Sequence, residues 1–323
     1  MDRSAPQEGF ERIAAAGFDC ADLNLDVFLE SSQVRRGCRD SFFTQDIREL
    51  EAFFAPWARA ARASGIRFSQ MHAPYPAFVW GRRETGAYMR EAVIPKSLRI
   101  AGFLGIPYVV VHPGKLQYQA GREAENRWNL DYFSSLIPLA REYGLVICLE
   151  NLYEAEGGRL VEGPCSSGAE AVRLIDVLNE RAGEERFGFC LDTGHLNLTG
   201  REPRETIAAL GRRIKALHLH DNNGLEDLHQ LPYTFSRRGV DWEGVLEGLA
   251  GAGYAGALSF ETAPCLRSFP DQMRPAVLRA AERIGRYFAG RLEEEYRRNE
   301  EAGYGTGQAG DHWDREDRGP AGG

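Results

Sequence analysis

Short, almost wholly apolar runs alternate along the chain with longer stretches of mixed polarity. The runs are CADLNL (20–25), FSQMHA (68–73), YVVVHP (108–113), VICLEN (146–151), FGFCLDTGH (187–195), IKALHLHD (214–221) and ALSFET (257–262). Runs of this length, rich in Val, Ile, Leu and Phe and lacking clean alternation, read as strands buried on both faces, the mark of a parallel sheet. The intervening stretches carry helical spacing. They predict helices over 7–16, over 46–63 with a stop at Gly65, and over 84–104, perturbed at Pro95 and ended by Gly105. Further helices are predicted over 123–143 before Gly144, over 167–181, 204–213 and 242–252, and from about residue 271 onward. Glycine just past the last periodic residue is the expected helix stop. Loops after the strands read as short.

Strands each followed by a helix point to an α/β fold of βα units. The expectation is a closed (β/α)8 TIM barrel over residues 1–300 as one domain. Only seven strand-like runs are present where such a barrel has eight. The first helix is preceded only by MDRSAPQEG, so the first strand is expected to be missing or truncated at the N-terminus. A doubly wound sheet competes, but no GxGxxG turn follows the first run. From about residue 301 the chain turns Gly-rich and charged without period (GYGTGQAGDHWDREDRGPAGG). That tail is expected to be disordered.

Composition changes this picture little. The chain of 323 residues is 43% hydrophobic and 27% charged, which supplies ample core. A net charge of −8 argues against nonspecific nucleic-acid binding, which depends on clustered Lys and Arg. No run is long enough for a membrane span, and no apolar leader opens the chain, so a cytoplasmic location is the expectation. The six cysteines form no CxxC pair, and Cys148 and Cys190 lie within strand-like runs where a reduced, buried thiol is expected.

The candidate chemistry lies where the runs end. Of seven histidines, His72, His112, His195, His218 and His220 lie at or near strand ends and His229 lies in a following loop; His312 falls in the tail. Glu150, Asp192 and Glu261 end other runs, and Asp227 precedes His229 by two positions. Imidazoles and carboxylates are the usual ligands of borderline divalent cations. In a barrel the C-terminal ends of the strands converge on one mouth. His218 and His220 share one side of a strand, because side chains alternate. Arg237 and Arg238 could grip a phosphate, and Trp80, Arg82 and Arg83 could belong to a lid; a solvated loop explains either group equally well.

The motifs MHAPY, VVHPG, LEN, LDTGH, HLHDNNG and FET, in this order over roughly residues 7–290, resemble the xylose-isomerase-like TIM-barrel superfamily. That superfamily holds sugar-phosphate isomerases and epimerases, ketohexose 3-epimerases, inosose dehydratases and endonuclease IV. The resemblance implies that Glu150, Asp192, His218 and Glu261 hold one divalent cation (Mn²⁺, Zn²⁺ or Co²⁺). It implies that His72, His112, His195, Asp227 and His229 add ligands for up to three ions. Glu156 and His195 match substrate-contacting positions of the ketohexose epimerases. We expect His220 and Arg237 to touch substrate as well. One departure is HQLPYTFSRRGVDW (229–242), where many members carry a Pro-Gly-Glu-Gly turn.

The expected activity is isomerisation or epimerisation of a sugar or sugar phosphate, with Glu150 and Glu261 exchanging a proton beside a carbonyl through a metal-stabilised enediolate. A metal-dependent polyol dehydratase, an endonuclease IV-like trinuclear zinc phosphodiesterase acting on abasic DNA, and a non-catalytic metal-binding barrel stand as alternatives. The partner expected is a small sugar, with no membrane, nucleic acid disfavoured and homo-oligomerisation open.

Overall fold

A computed structural model describes residues 5–301. The Gly-rich tail and His312 lie outside the described residues. Six parallel strands form one sheet in the order β1 (Cys20–Asn24), β2 (Arg67–His72), β3 (Tyr108–Val111), β4 (Val146–Glu150), β7 (Phe187–Asp192) and β8 (Ile214–His218). Between β4 and β7 the chain makes an antiparallel hairpin of β5 (Tyr153–Glu156) and β6 (Arg159–Glu162). The segment 257–261 adds a seventh position through one parallel bridge, Leu219 to Phe260, with Leu219 N donating to Ser259 O at 2.8 Å. The sheet is strongly curled. Gln70 on β2 donates to Leu217 O on β8 at 3.2 Å, a contact between strands separated by three others in the sheet.

Side-chain alternation sorts the strands into two walls. Val109, Val111, Ile147, Leu149, Phe189, Leu191, Leu217 and Leu219 face outward and merge with buried helix residues such as Leu98, Phe133, Ile175 and Leu178 in one apolar cluster. Burying each such side chain contributes about 1.5–3 kcal/mol. Val110, Cys148, Cys190 and Ala216 face inward and form a separate small cluster inside the curl. Both strand cysteines are therefore buried and reduced, as the sequence implies.

No strand precedes the first helix, Pro6–Ala16, among the described residues, and β1 ends the sheet order. The seam between β1 and 257–261 carries no strand pairing there. A cavity of about 1290 Å³ at the N-terminal side of the strands is lined in part by Phe18, Cys20, Phe68, Tyr254, Leu258 and Phe260. The last helix, Arg274–Glu301, straps the seam: Arg286 donates to Gly17 O at 2.7 Å and pairs with Asp19 at 2.9 Å.

One helix expectation needs correction, while the perturbation expected at Pro95 is present. The stretch 123–143 is two helices, Arg122–Ser134 and Ile137–Glu142, because Pro138 lacks the N–H needed to continue the first ladder. The stretch 84–104 is Arg83–Tyr88, a π-turn over Met89–Val93, and Ile94–Leu104; the wide turn lies immediately before Pro95, whose ring disfavours the regular ladder. Two loops are also far from short. Residues 25–46 hold the helix Ser31–Arg36, and 219–241 fold over the mouth. Asp221 organises the second loop: its backbone pairs with Gln230, while Oδ1 accepts from Val240 N at 3.0 Å and Oδ2 from Phe235 N at 3.3 Å.

Candidate metal centre

Two residues beyond each inward-facing wall residue stands a candidate ligand. Val110 leads to His112, Cys148 to Glu150, Cys190 to Asp192 and Ala216 to His218. The two-residue strand period thus carries four candidate ligands onto the inner face at one level. His72 ends β2 in the same layer, two beyond Gln70, whose amide donates to Asp22 Oδ2 at 2.8 Å.

Three overlapping groups result, each with ligand atoms within 4.8 Å of one another: His72, His112 and Glu150; Glu150, Asp192, His218 and Glu261; and His220, His229 and Glu261. Glu150 joins the first two. Its Oε2 lies 2.9 Å from His112 Nε2 and 3.5 Å from His72 Nε2, while Oε1 lies 3.3 Å from His218 Nδ1 and 3.4 Å from His195 Nδ1. Glu261 Oε2 stands 3.4 Å from His218 Nδ1. Asp227 sits between two imidazoles, 3.4 Å from His195 Nε2 and 3.3 Å from His229 Nε2.

The hydrogen bonds on the far side of these rings fit a divalent cation. His72 Nδ1 donates to Ala73 O, His195 Nδ1 to Asn151 O and His229 Nδ1 to Glu261 O, each at 2.8 Å. With Nδ1 protonated, Nε2 of each neutral ring presents a lone pair to a carboxylate or another ring. Such backbone anchoring is how ligating histidines are fixed in orientation. The buried oxygens Glu150 Oε2 and Asp227 Oδ1 have no well-directed hydrogen bond among the described residues. Acceptors converging on acceptors require a proton or a cation between them.

Electrostatics agree. Burial alone would raise the Glu150 pKa, but His112 and His218 more than offset it and hold the carboxyl well below its usual range. Asp192 is likewise depressed by His195 and His220 against burial, and Asp227 by His195 and His229. Burial opposes protonation of His195, yet Asp192, Asp227 and Glu150 push it to about 10. His229, similarly placed beside Asp227 and Glu261, rises to about 9. For His112 burial prevails over Glu150, and its pKa falls to about 4.

All nine ligand positions read from the sequence are brought together. His220 is wholly buried: Nε2 stands 3.0 and 3.1 Å from the two oxygens of Asp192, and its ring stacks on His229 at 4.0 Å and 11°. A Cβ on Gly194 would lie 2.0 Å from that ring, so glycine in LDTGH leaves the space His220 fills. Glu156 and Arg237 are not joined to the cluster. Glu156 is exposed at the end of β5, 3.5 Å from Gln119 Nε2, and Arg237 is exposed on the 219–241 loop.

Sequence reasoning missed the supporting residues. Asp22 Oδ2 lies 3.5 Å from His218 Nε2. Asn151 clamps β4 to β7 by two 2.8 Å bonds to the Asp192 backbone. Tyr75 stacks on His112 at 4.1 Å, and Tyr153 reaches Asp227 at 3.4 Å. Asn151 in LEN and Tyr75 in MHAPY lie within the motifs already singled out. The inward side of CADLNL offered Asp22 by alternation.

Known proteins share this fold. An L-ribulose 3-epimerase superimposes with a TM-score of 0.64 at 18% identity, covering 94% of each chain. A probable endonuclease 4 of Methanoculleus marisnigri is 28% identical over 219 residues, covering 63% of this chain and 71% of the relative. A putative hydroxypyruvate isomerase of Streptomyces coelicolor is 30% identical over 125 residues, 39% of this chain and 41% of the relative. The chain spans about half the length of most of the curated relatives it matches. The family model described as xylose isomerase-like TIM barrel matches residues 10–282, and the chain belongs to that family.

Proposed function

We propose that this protein is a divalent-metal-dependent isomerase or epimerase of a small sugar or sugar phosphate. The observation that carries the reading is the group Glu150, Asp192, His218 and Glu261, with both glutamates flanking one imidazole nitrogen at 3.3 and 3.4 Å. A cation bound there (Mn²⁺, Zn²⁺ or Co²⁺) would polarise a carbonyl and its neighbouring hydroxyl and stabilise the charge left by proton removal. Glu261 keeps 24% side-chain exposure where Glu150 keeps 1%, so Glu261 is the carboxylate that meets an incoming substrate first. Glu150 faces it across His218 and serves as the second proton carrier. The barrel wall of Val110, Cys148, Cys190 and Ala216 closes the floor against water.

The test is solvent deuterium exchange into a panel of ketoses and ketose phosphates by the metal-loaded protein. Glu261→Gln should lower exchange by about 10²–10⁴-fold, the usual share of a general acid/base, with the thermal midpoint little changed. Full exchange activity in Glu261→Gln would remove the proposal.

A second reading, endonuclease 4-like phosphodiester cleavage, is favoured by one observation: three overlapping ligand groups are assembled, where an epimerase needs one. Three zinc ions per chain together with nicking of abasic-site DNA at physiological salt would establish it over the first.

A further inference from the structure

Lys115 follows the ligand His112 by three positions, on the loop leaving β3, and the metal chemistry above does not use it. Its ammonium lies over the Tyr153 ring, 5.1 Å from the centroid, and donates to Tyr153 O. Tyr153 is part of the wall of the metal centre: its hydroxyl reaches Asp227 Oδ2 at 3.4 Å and its ring lies 5.1 Å from that of His195. Yet no carboxylate among the described residues ion-pairs with Lys115, although the chain holds 47 acidic residues against 39 basic ones. Lys115 is partly buried, and cations partly withdrawn from water are commonly paired. Among the described residues, two of the three ammonium protons have no protein acceptor.

Burial lowers the Lys115 pKa to about 8 against the pull of Glu154, Glu150 and Asp227. The side chain remains largely protonated at neutral pH. An ammonium against the wall of the metal centre, with no carboxylate in ion-pairing contact among the described residues, leaves room for an anion supplied from outside.

We propose that Lys115 binds an anionic group of the substrate, a phosphate or a carboxylate, at the end away from the metal-chelating atoms. This rests on the reading of the site as a small-molecule carbonyl enzyme. A lysine that only tied the β5–β6 hairpin to the β3 loop would show no preference for charge in the ligand.

Calorimetric binding to the metal-loaded full chain separates these roles. The probes are two matched pairs: D-ribulose with D-ribulose 5-phosphate, and dihydroxyacetone with hydroxypyruvate. In the wild type the anionic member of one pair should bind at least about tenfold tighter than its neutral counterpart, the scale of a charge-assisted hydrogen bond. Which pair shows the preference distinguishes phosphate from carboxylate. Lys115→Met should reduce the preference to about twofold or less without weakening the neutral probe, and Lys115→Arg should restore most of it. Equal binding within both pairs, a preference that survives Lys115→Met, or equal weakening of neutral and anionic probes would each overturn the proposal. Anion preference without deuterium exchange would defeat the isomerase reading and leave the anion site standing. Exchange without charge preference would do the reverse.

Discussion

The two halves of the metal centre are made of different material. His72, His112, Glu150, Asp192 and His218 stand at or next to the ends of hydrogen-bonded strands, with side chains between 0 and 12% exposed. Asp227, His229 and Glu261 come from a loop and from a segment held by a single bridge, and keep 18–24% exposure. His229 also adopts φ +48°, a left-handed conformation uncommon among non-glycine residues. The strand-borne half is ordered by the fold itself. The loop-borne half is ordered by Asp221, by the His229–Glu261 backbone bond, and by whatever charge lies between Asp227 and its two imidazoles. Preorganisation is therefore uneven across one site.

Removing one ligand from each half should break this comparison most visibly. His112→Ala should empty the first ligand group and reduce activity by about 10²–10³-fold, the scale of a lost transition-state contact. His229→Ala should lower metal affinity by about 10–100-fold while leaving the Glu150–Asp192–His218–Glu261 group loaded. Metal content by mass spectrometry after dialysis checks both. Equal loss of ions in the two variants would mean the halves are one cooperative unit.

A gentler probe is pH. His195 and His229 titrate near 10 and 9 in the metal-free fold, raised from 6.5. Their raised values stabilise that fold fully below about 6.5, and the contribution fades as pH rises through 9 to 10. Both rings must give up a proton to ligate, so at pH 7.5 metal uptake should release protons and affinity should climb with pH up to that window. Calorimetry in two buffers of different ionisation enthalpy measures the number released. A value of zero would place the protons elsewhere than on these two rings. The smallest effect is expected outside both halves: Arg237→Ala should leave metal content unchanged and stability within about 0.5 kcal/mol, as at other exposed sites. A fall in metal content would tie that loop to the centre.

The strand-borne half was the more legible in sequence. Apolar runs announce buried parallel strands, and a ligand two residues beyond a small inward side chain follows from the strand period. What escaped depends on contacts between distant segments. Asp22 and Lys115 acquire meaning only when the sheet curls and the hairpin folds across. The hairpin had a local signal, Gly157–Gly158 between two strand-like stretches, both at positive φ as a tight turn there requires. Its consequence was that Glu156, matched by spacing to a substrate contact, points to solvent. The break at Pro138 was equally local and was outweighed by continuous helical periodicity on either side.

His220 couples the halves. Its ring is held on one side by Asp192 and the bare face of Gly194, and on the other it receives the flat of His229. It acts as a shim, setting the loop's stand-off from the barrel by the thickness of one aromatic ring. A thinner side chain there would let the loop settle inward, and a bulkier one would lift it. The spacing of the centre is thus gauged by a ring that is itself one of its candidate ligands.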